Sequence, residues 1–179
     1  MEITAFSIAG PLLITPKVYE DERGCFIETF QAERYAQHIP EQFVQDNLSK
    51  SKKGVLRGLH FQSPPFAQGK LVQVMKGRVL DVAVDIRSES PTYGQHVLVE
   101  LDANKMQQFY VPPGFAHGFI ALEEDTLFAY KCTALYSPTH EKTLLWNDTD
   151  LNIAWPSLEV IVNQKDMQGT ALKDLPTDF

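Results

Sequence analysis

The sequence predicts a single all-β domain, a sandwich or barrel of short strands, and three observations support that prediction. Apolar and polar residues alternate with a period of two in several short segments. Turn signals rich in Gly and Pro separate these segments at near-regular intervals. The 179 residues, 44% hydrophobic and 11% aromatic, suffice for one sizeable core, and no change in composition marks a linker. We therefore expect residues 1–179 to form one domain.

The alternating segments predict six strands, at residues 25–30, 70–76, 78–87, 96–101, 107–111 and 126–135. Turns are expected between them at Lys76-Gly77, Pro112-Pro113-Gly114 and Ser137-Pro138. Helical spacing is limited to residues 31–39, with a possible second turn near residues 164–168. Many short strands with few helices are typical of sandwiches and barrels.

The strand predicted at residues 78–87 separates two kinds of side chain, because successive residues of a strand point to opposite faces. One face carries Leu80, Val82, Val84 and Ile86, and the other carries Asp81, Ala83, Asp85 and Arg87. The apolar face should belong to the core. The opposite face is either a solvated surface or the wall of a polar barrel interior.

Charge and cysteine content exclude several classes of function. The formal net charge of -7 and the pI near 5.2 argue against nucleic acid or an anionic membrane as the main partner. The sequence has no basic leader and no apolar run of the roughly 20 residues that a membrane span needs, so a soluble, cytoplasmic protein is expected. Its two cysteines, Cys25 and Cys132, are expected to be reduced thiols within strands.

Residues 54–62, Gly-Val-Leu-Arg-Gly-Leu-His-Phe-Gln, place Arg57 and His60 in a segment that otherwise has the pattern of a buried strand. A polar group buried there without a partner costs roughly 1–3 kcal/mol, so both side chains are expected to face something that needs them. An anionic ligand for Arg57 and a proton for His60 are the obvious candidates.

Two histidine motifs resemble those of cupin-type jelly rolls: Gly54-x5-His60 and Pro112-x-Gly114-x2-His117. Metal-binding cupins continue the first motif with a second histidine and a glutamate, but here Gln62 stands two residues after His60 and no glutamate follows nearby. Two good ligands are fewer than the three or four that a divalent site needs. We therefore predict no bound metal, leaving both histidines for acid–base work or hydrogen bonding, with a metal-dependent cupin enzyme as the alternative.

Longer motifs give a more specific resemblance. They are, in chain order, Arg23-Gly24-x-Phe26-x-Glu28, Gln45-Asp46-Asn47-Leu48-Ser49, Val55-Leu56-Arg57-Gly58-Leu59-His60-Phe61-Gln62, Gly69-Lys70-Leu71-Val72, Pro112-Pro113-Gly114-Phe115-Ala116-His117-Gly118-Phe119, Tyr130-Lys131-Cys132, Tyr136-Ser137-Pro138, Asn147-Asp148 and Ile153-x-Trp155-Pro156. From about residue 10 to about residue 170, this set resembles the dTDP-4-dehydrorhamnose 3,5-epimerases. The resemblance implies a cupin-like jelly roll with a few short helices.

The same resemblance implies a reaction and its catalytic residues. The substrate would be dTDP-4-dehydro-6-deoxy-D-glucose, epimerised at C3 and C5 through enolates without a cofactor. His60 matches the base, Tyr130 the proton donor on the opposite face, and Lys70 the cation beside the C4 oxygen. Asp166 matches the carboxylate that orients His60, although Asn163-Gln164 departs from the usual Ser-Glu before it, and Asp81 and Asp85 are rival orienters.

The resemblance also implies substrate-binding residues, which are Arg23, Phe26, Glu28, Gln45, Asp46, Asn47, Arg57, Lys70, His117, Tyr136, Glu141 and Lys165. Arg23 and Arg57 would bind the diphosphate, because guanidinium groups match phosphate geometry. Family members are usually homodimers whose N-terminal strands reach the neighbouring site, so Arg23, Phe26 and Glu28 would act across the interface.

Two further alternatives are an epimerase of a related keto-sugar that inverts one centre and a silent sugar-nucleotide binding module.

Overall fold

A computed structural model describes residues 1–176 and 179, and most of its regular structure is β-strand. Within this described part the strands are Glu2–Ala5 (β1), Leu12–Thr15 (β2), Val18–Asp21 (β3), Gly24–Ile27 (β4), Gln45–Ser51 (β5), Leu56–Gln62 (β6), Lys70–Lys76 (β7), Arg78–Asp85 (β8), His96–Asp102 (β9), Gln108–Val111 (β10), Phe115–Ala121 (β11), Thr126–Cys132 (β12) and Glu141–Thr143 (β13). Two α-helices, Ala32–Tyr35 (α1) and Gln164–Met167 (α2), and two 3-10 helices, Ala103–Lys105 and Leu172–Asp174, are each a single turn.

The strands form two main sheets and one separate hairpin. The first sheet has the order β1-β2-β10-β7-β12-β5, the second has the order β13-β6-β11-β8-β9, and β3 pairs with β4. Neighbouring strands in all three are antiparallel. Strands adjacent in sequence repeatedly lie in different sheets, as β6, β7 and β8 do, and this crossing back and forth is the jelly roll that the sequence predicts.

Three apolar clusters hold these layers together. The largest lies between the two sheets and includes Val72 and Phe109 from the first sheet and Val99 and Phe119 from the second. A second cluster packs the outer face of β8 against the C-terminal segment, where Leu144, Leu151 and Leu175 are buried. In the third cluster, Tyr35 and Ile39 cover Ile14, Leu71 and Tyr110 on the outside of the first sheet. Burial on both sides fixes the direction in which each strand residue points.

The six strands predicted from alternation all overlap observed strands, but those predicted at 25–30, 78–87 and 126–135 end two or three residues earlier than expected. The last prediction, 126–135, ends as a strand at Cys132 because the chain turns away there. Both predicted helical regions contain a helix, α1 and α2. Neither cysteine forms a disulfide, and Cys132 is buried whereas Cys25 is exposed. No helix within the described residues combines the length and hydropathy needed to cross a bilayer.

The polar face of β8 turns into the space between the sheets. Asp81 is fully buried, and Ala83 belongs to the cluster between the sheets. Val82, Val84 and Ile86 point the other way, into the second cluster. Of the two interpretations of this strand, the polar barrel interior is therefore correct at Asp81.

Candidate active site

Two adjoining cavities lie between the sheets, next to the apolar cluster and lined largely by polar side chains. Their volumes are about 220 and 240 Å³. Four residues border both cavities: His60, Lys70, Tyr130 and Glu141. The larger cavity is completed mainly by uncharged polar groups, and the smaller one by histidine, arginine and aspartate side chains. Concave sites with a few convergent polar groups are where small-molecule chemistry is expected.

A bulge in β6 places Arg57 and His60 on the same side of the strand. His60 lies opposite His117 of β11, and Arg57 lies opposite Phe119, so three steps along β6 match two along β11. Gly58 occupies the bulge with a φ of +133°, and a Cβ there would lie 2.6 Å from Gly118 Cα. Only glycine permits so close an approach of the two backbones at this φ.

Arg57 is not buried, contrary to the expectation from its strand context. It is exposed at the rim of the smaller cavity. Its Nε donates to Ser51 Oγ at 3.1 Å, and its Nη2 donates to Lys50 O at 3.3 Å. These bonds leave other N–H groups of the guanidinium free to bind an anion.

His60 and Asp166 form a hydrogen-bonded pair at the wall of the smaller cavity. Asp166 Oδ1 lies 2.7 Å from His60 Nε2, and Oδ2 accepts from Gly58 N at 3.1 Å. Asn163 caps α2 by accepting from Asp166 N, which fixes the aspartate. Burial alone would raise the pKa of Asp166, but the bonds from His60 and Gly58 outweigh it and hold that pKa below its usual value. A carboxylate here accepts the Nε2 proton, so Nδ1 carries the lone pair.

A second buried pair lies beside the first. His117 Nε2 is 2.8 Å from Asp81 Oδ1, while Asp81 Oδ2 is buried with no hydrogen-bond partner among the described residues. Burial raises the pKa of Asp81, and His117 opposes that rise. This arrangement excludes Asp81 as the orienter of His60. Asp85 is excluded too, because it accepts instead from the Arg87 side chain at 2.8 and 2.7 Å.

Lys70 and Tyr130 supply the cation and the hydroxyl of the site. Burial lowers the pKa of Lys70, and the carboxylates of Glu141 and Asp81 oppose that effect. Burial also raises the pKa of the Tyr130 hydroxyl, with Arg57 opposing. Tyr130 therefore keeps its proton at neutral pH and can donate it.

Glu141, Tyr136 and Lys165 form a charged network at the edge of the larger cavity. Tyr136 Oη donates to Glu141 Oε2 at 2.8 Å, and the Lys165 ammonium bonds to the same oxygen. Burial would raise the pKa of Glu141, but the bonds from Lys165 and Tyr136 lower it below its usual value. Glu141 is therefore ionised at neutral pH and accepts hydrogen bonds from Tyr136 and Lys165.

Of the three neighbouring positions 45–47, the structure brings two to the cavities. Gln45 and Asn47 point inward from β5 and border the larger cavity. Asp46 points to the outer face, where it pairs with Lys131 at 2.8 Å. Asp46 borders neither of the two cavities, but together with Asn47 and Tyr130 it lines a separate depression.

The structure also leaves Arg23, Phe26 and Glu28 away from the cavities. Arg23 pairs with Asp21, and its side chain is 85% exposed. Phe26 is 67% exposed, and its ring lies against that of Tyr19 with centroids 6.4 Å apart. Glu28 pairs with Arg34. All three lie on or next to the β3–β4 hairpin.

Several residues that border the cavities were not predicted from the sequence. They are Ser49, Phe61, Gln62, Gln68, Phe119, Phe128, Cys132 and Asn163. The period-two pattern of residues 126–132 could have placed Phe128 and Cys132 beside Tyr130. Within residues 1–176 and 179, no group of three or more His, Cys, Asp or Glu side chains is arranged to hold a metal ion.

Comparison with known proteins identifies the family of this chain. The sequence model of the dTDP-4-dehydrorhamnose 3,5-epimerase family matches residues 5–174. The dTDP-4-dehydrorhamnose 3,5-epimerase of Salmonella typhimurium is 51% identical over 158 residues, covering 87% of this chain and 86% of that protein.

Solved structures give the same result. The 3,5-epimerase of Legionella pneumophila, in complex with dTDP-4-keto-L-rhamnose, superimposes with a TM-score of 0.93 at 49% identity, covering 96% of this chain and 93% of that one. A 3'-monoepimerase of Streptomyces bikiniensis, in complex with dTDP-quinovose, gives a TM-score of 0.90 at 32% identity, covering 94% and 87%. With the family model spanning nearly the whole sequence, the chain belongs to the dTDP-4-dehydrorhamnose 3,5-epimerase family.

Proposed function

We propose that the chain is an isomerase that converts dTDP-4-dehydro-6-deoxy-D-glucose into dTDP-4-dehydro-L-rhamnose by inverting C3 and C5, as a step of dTDP-L-rhamnose synthesis in the cytoplasm. The observation that carries the proposal is the His60–Asp166 pair on a cavity that Lys70 and Tyr130 also border. A base, a cation and a proton donor around one small space are the groups that proton transfer beside a carbonyl requires.

The first half of each inversion removes a proton from carbon. C3 and C5 both adjoin the C4 ketone, so the electron pair left by either proton moves onto the C4 oxygen as an enolate. His60 accepts the proton on Nδ1, which has no hydrogen-bond partner among the described residues, and Asp166 stabilises the resulting imidazolium. Glu141 and Asp81 favour the charged form of Lys70 against the burial that lowers its pKa, and this ammonium would stabilise the enolate oxygen as its negative charge develops.

The second half returns a proton to the opposite face of the same carbon. The Tyr130 hydroxyl donates it, the carbon–hydrogen bond forms, and the electron pair returns from oxygen to restore the ketone. Solvent then reprotonates Tyr130 and takes the proton from His60. No electrons enter or leave, because the substrate's own ketone accepts and returns the pair.

The remaining polar residues would bind the nucleotide and the sugar. Arg57 at the rim suits the diphosphate, since its guanidinium retains free N–H groups. The sugar and base would contact the candidates that border the cavities, Gln45, Asn47, His117, Tyr136 and Glu141, with Lys165 paired to Glu141 at the edge. Asp46 would take part only if the nucleotide extends over the outer edge of β5.

Arg23, Phe26 and Glu28 fit the proposal as residues that complete the site of a second subunit in a homodimer. Their exposure within one chain supports this role. Arg23→Ala and His60→Ala test it by complementation, since each homodimer would have two defective sites. Refolding equal amounts together should restore about a quarter of wild-type activity, because half the dimers are mixed and each has one intact site. No restoration would contradict the exchange of residues between subunits.

The activity itself is tested by NMR of the product formed from dTDP-4-dehydro-6-deoxyglucose. Inversion at both C3 and C5 is expected. The likeness to a 3'-monoepimerase makes inversion of a single centre the second candidate, and a product altered at one carbon only would favour it. No new product would contradict both candidates.

A further inference from the structure

The loop at residues 134–137 is attached to the site by the side chains of three glutamines. It follows β12 and leads towards β13. Each of its four residues has a backbone group bonded to a glutamine amide: Ala134 O to Gln68 Nε2 at 2.7 Å, Leu135 O to Gln62 Nε2 at 3.1 Å, Tyr136 N to Gln45 Oε1 at 2.9 Å and Ser137 N to Gln62 Oε1 at 2.7 Å. We call Gln45, Gln62 and Gln68 the amide cradle.

Gln62 is the central member of the cradle. Only 2% of Gln62 is exposed, and both the Nε2 and the Oε1 atoms of its amide form hydrogen bonds. Besides its two bonds to the loop, its Nε2 donates to Phe66 O at 2.8 Å. It therefore ties the loop at 134–137 to the turn that follows β6. A buried amide with both ends bonded fixes its partners, because releasing any of them would leave a desolvated polar group.

The loop carries a side chain of the larger cavity. Tyr136 borders that cavity and donates to Glu141, which lies opposite Gln62 in the register of β13 with β6. Tyr136 does not border the smaller cavity, where Asp166 and His117 lie. Displacing the loop would thus alter one wall of the larger cavity and leave the His60–Asp166 pair in place.

We propose that Gln62 is a positioning residue that sets the Tyr136–Glu141 wall against the bound nucleotide sugar. The inference rests on the proposed function and adds to it the residue that shapes the binding wall. The neutral amide suits this task, since it can donate to carbonyls and accept from an N–H without burying a charge in this wall. Its effect falls on substrate affinity rather than on proton transfer.

The test uses Gln62→Met, which keeps the side-chain length and removes all three hydrogen bonds. The matched control is Gln107→Met, because the Gln107 amide donates to Thr15 Oγ1 on the first sheet and does not border either cavity. Two quantities are measured on the full chain: hydrogen–deuterium exchange of the 134–137 amides without ligand, and kcat and KM with dTDP-4-dehydro-6-deoxyglucose.

In Gln62→Met we expect exchange at Tyr136 and Ser137 to accelerate about tenfold and KM to rise about tenfold with kcat changed less than about threefold. The control should match the wild type in both measurements. Unchanged exchange and KM would overturn the proposal, as would a fall in kcat at constant KM. If Gln62→Met fails to fold, Gln62→Glu replaces it, because it loses both donated bonds and keeps an acceptor for Ser137 N; the same rise in KM is expected, with faster exchange at Tyr136 and a smaller change at Ser137.

The two readouts separate this inference from the proposed function. If the wild type does not convert the sugar nucleotide, the proposed function fails and Gln62 has no positioning role in it, whatever the exchange measurement gives. If the wild type is active and the variant behaves like the control, the positioning role alone is wrong.

Discussion

Asp166 Oδ1 lies 2.7 Å from His60 Nε2, although the two residues are 106 positions apart in the sequence. The contact depends on α2, whose single turn is capped by Asn163 and positions the carboxylate over the bulge of β6. Asp166 also accepts from Gly58 N, so one side chain fixes both the ring of the base and the backbone that carries it. The His60–Asp166 pair therefore links α2 to β6 at the wall of the smaller cavity.

The pH dependence of stability should change when Asp166 is replaced by Asn. The pKa of Asp166 is lower in the folded chain than its ordinary value, so its contribution is present above the unfolded pKa of about 3.9 and is lost as the pH falls through the folded pKa. We expect the wild-type free energy of unfolding to fall more steeply below about pH 4 than that of Asp166→Asn, by up to about 1.4 kcal/mol per pH unit. Urea denaturation between pH 3 and pH 6 measures both slopes.

Asp150→Asn is the control, because Asp150 is exposed and does not border the cavities. Its slope should equal that of the wild type. Parallel slopes for Asp166→Asn and the wild type would contradict a lowered pKa.

Replacing Asp81 by Asn should shift the alkaline limb of activity to lower pH. Burial lowers the pKa of Lys70, and the Asp81 carboxylate is one of the charges that oppose this effect. Without that charge the pKa of Lys70 falls further, so Lys70 loses its proton at a lower pH. The neutral amine no longer stabilises the enolate, and kcat falls. The measurement is kcat as a function of pH, with Asp150→Asn again as the control. A limb that stays in place or moves to higher pH would show that Asp81 does not act through Lys70.

Tyr130→Phe should separate proton removal from inversion. The variant keeps His60 as the base but lacks the hydroxyl on the opposite face, so deuterium should still enter the substrate while inverted product falls about 100-fold. NMR of the sugar in heavy water follows both quantities. Tyr93→Phe is the control, since its hydroxyl donates to Leu172 O outside the cavities. Equal losses of exchange and inversion in Tyr130→Phe would contradict its role as the donor.

Gly58→Ala should destabilise the chain far more than Gly24→Ala, although both glycines have positive φ, +133° and +120°. At Gly24 nothing lies within 4 Å of an added Cβ, so only the backbone cost of about 1 kcal/mol is expected. At Gly58 the Cβ would lie 2.9 Å from His117 O and closer still to Gly118, and we expect a loss above about 3 kcal/mol. Urea denaturation measures both, and equal costs would show that the bulge relaxes easily.

Alternation in the sequence predicted much of this fold, because burial on both sides of a sheet imposes a period of two on the side chains. Alternation does not describe residues 56–62, which were not among the six strands it predicted, because the bulge puts Arg57 and His60 on the same side. The bulge needs Gly118 opposite Gly58, and no local pattern reveals a contact between residues 60 positions apart. Arg57 consequently appeared buried from its strand context, whereas it lies at the rim.

The family resemblance supplied Lys70 and Tyr130 as candidate site residues, and the alternation along β7 and β12 agrees with the direction in which both side chains point. Asp166 came only from the family resemblance, because a one-turn helix has no periodicity that indicates what it packs against. The amide cradle was missed for a related reason. Gln62 was noted only as the place of an absent metal ligand, and its bonds to Leu135 and Ser137 follow from a loop that sequence alone does not place.

The most direct test of the account is deuterium incorporation into dTDP-4-dehydro-6-deoxyglucose by the wild type and by His60→Ala in heavy water, followed by NMR at C3 and C5. The wild type should introduce deuterium at both carbons. In His60→Ala the rate should fall by about 10³ at both, with dTDP affinity within about threefold of the wild type. Exchange that persists in His60→Ala at the wild-type rate would contradict the assignment of His60 as the base.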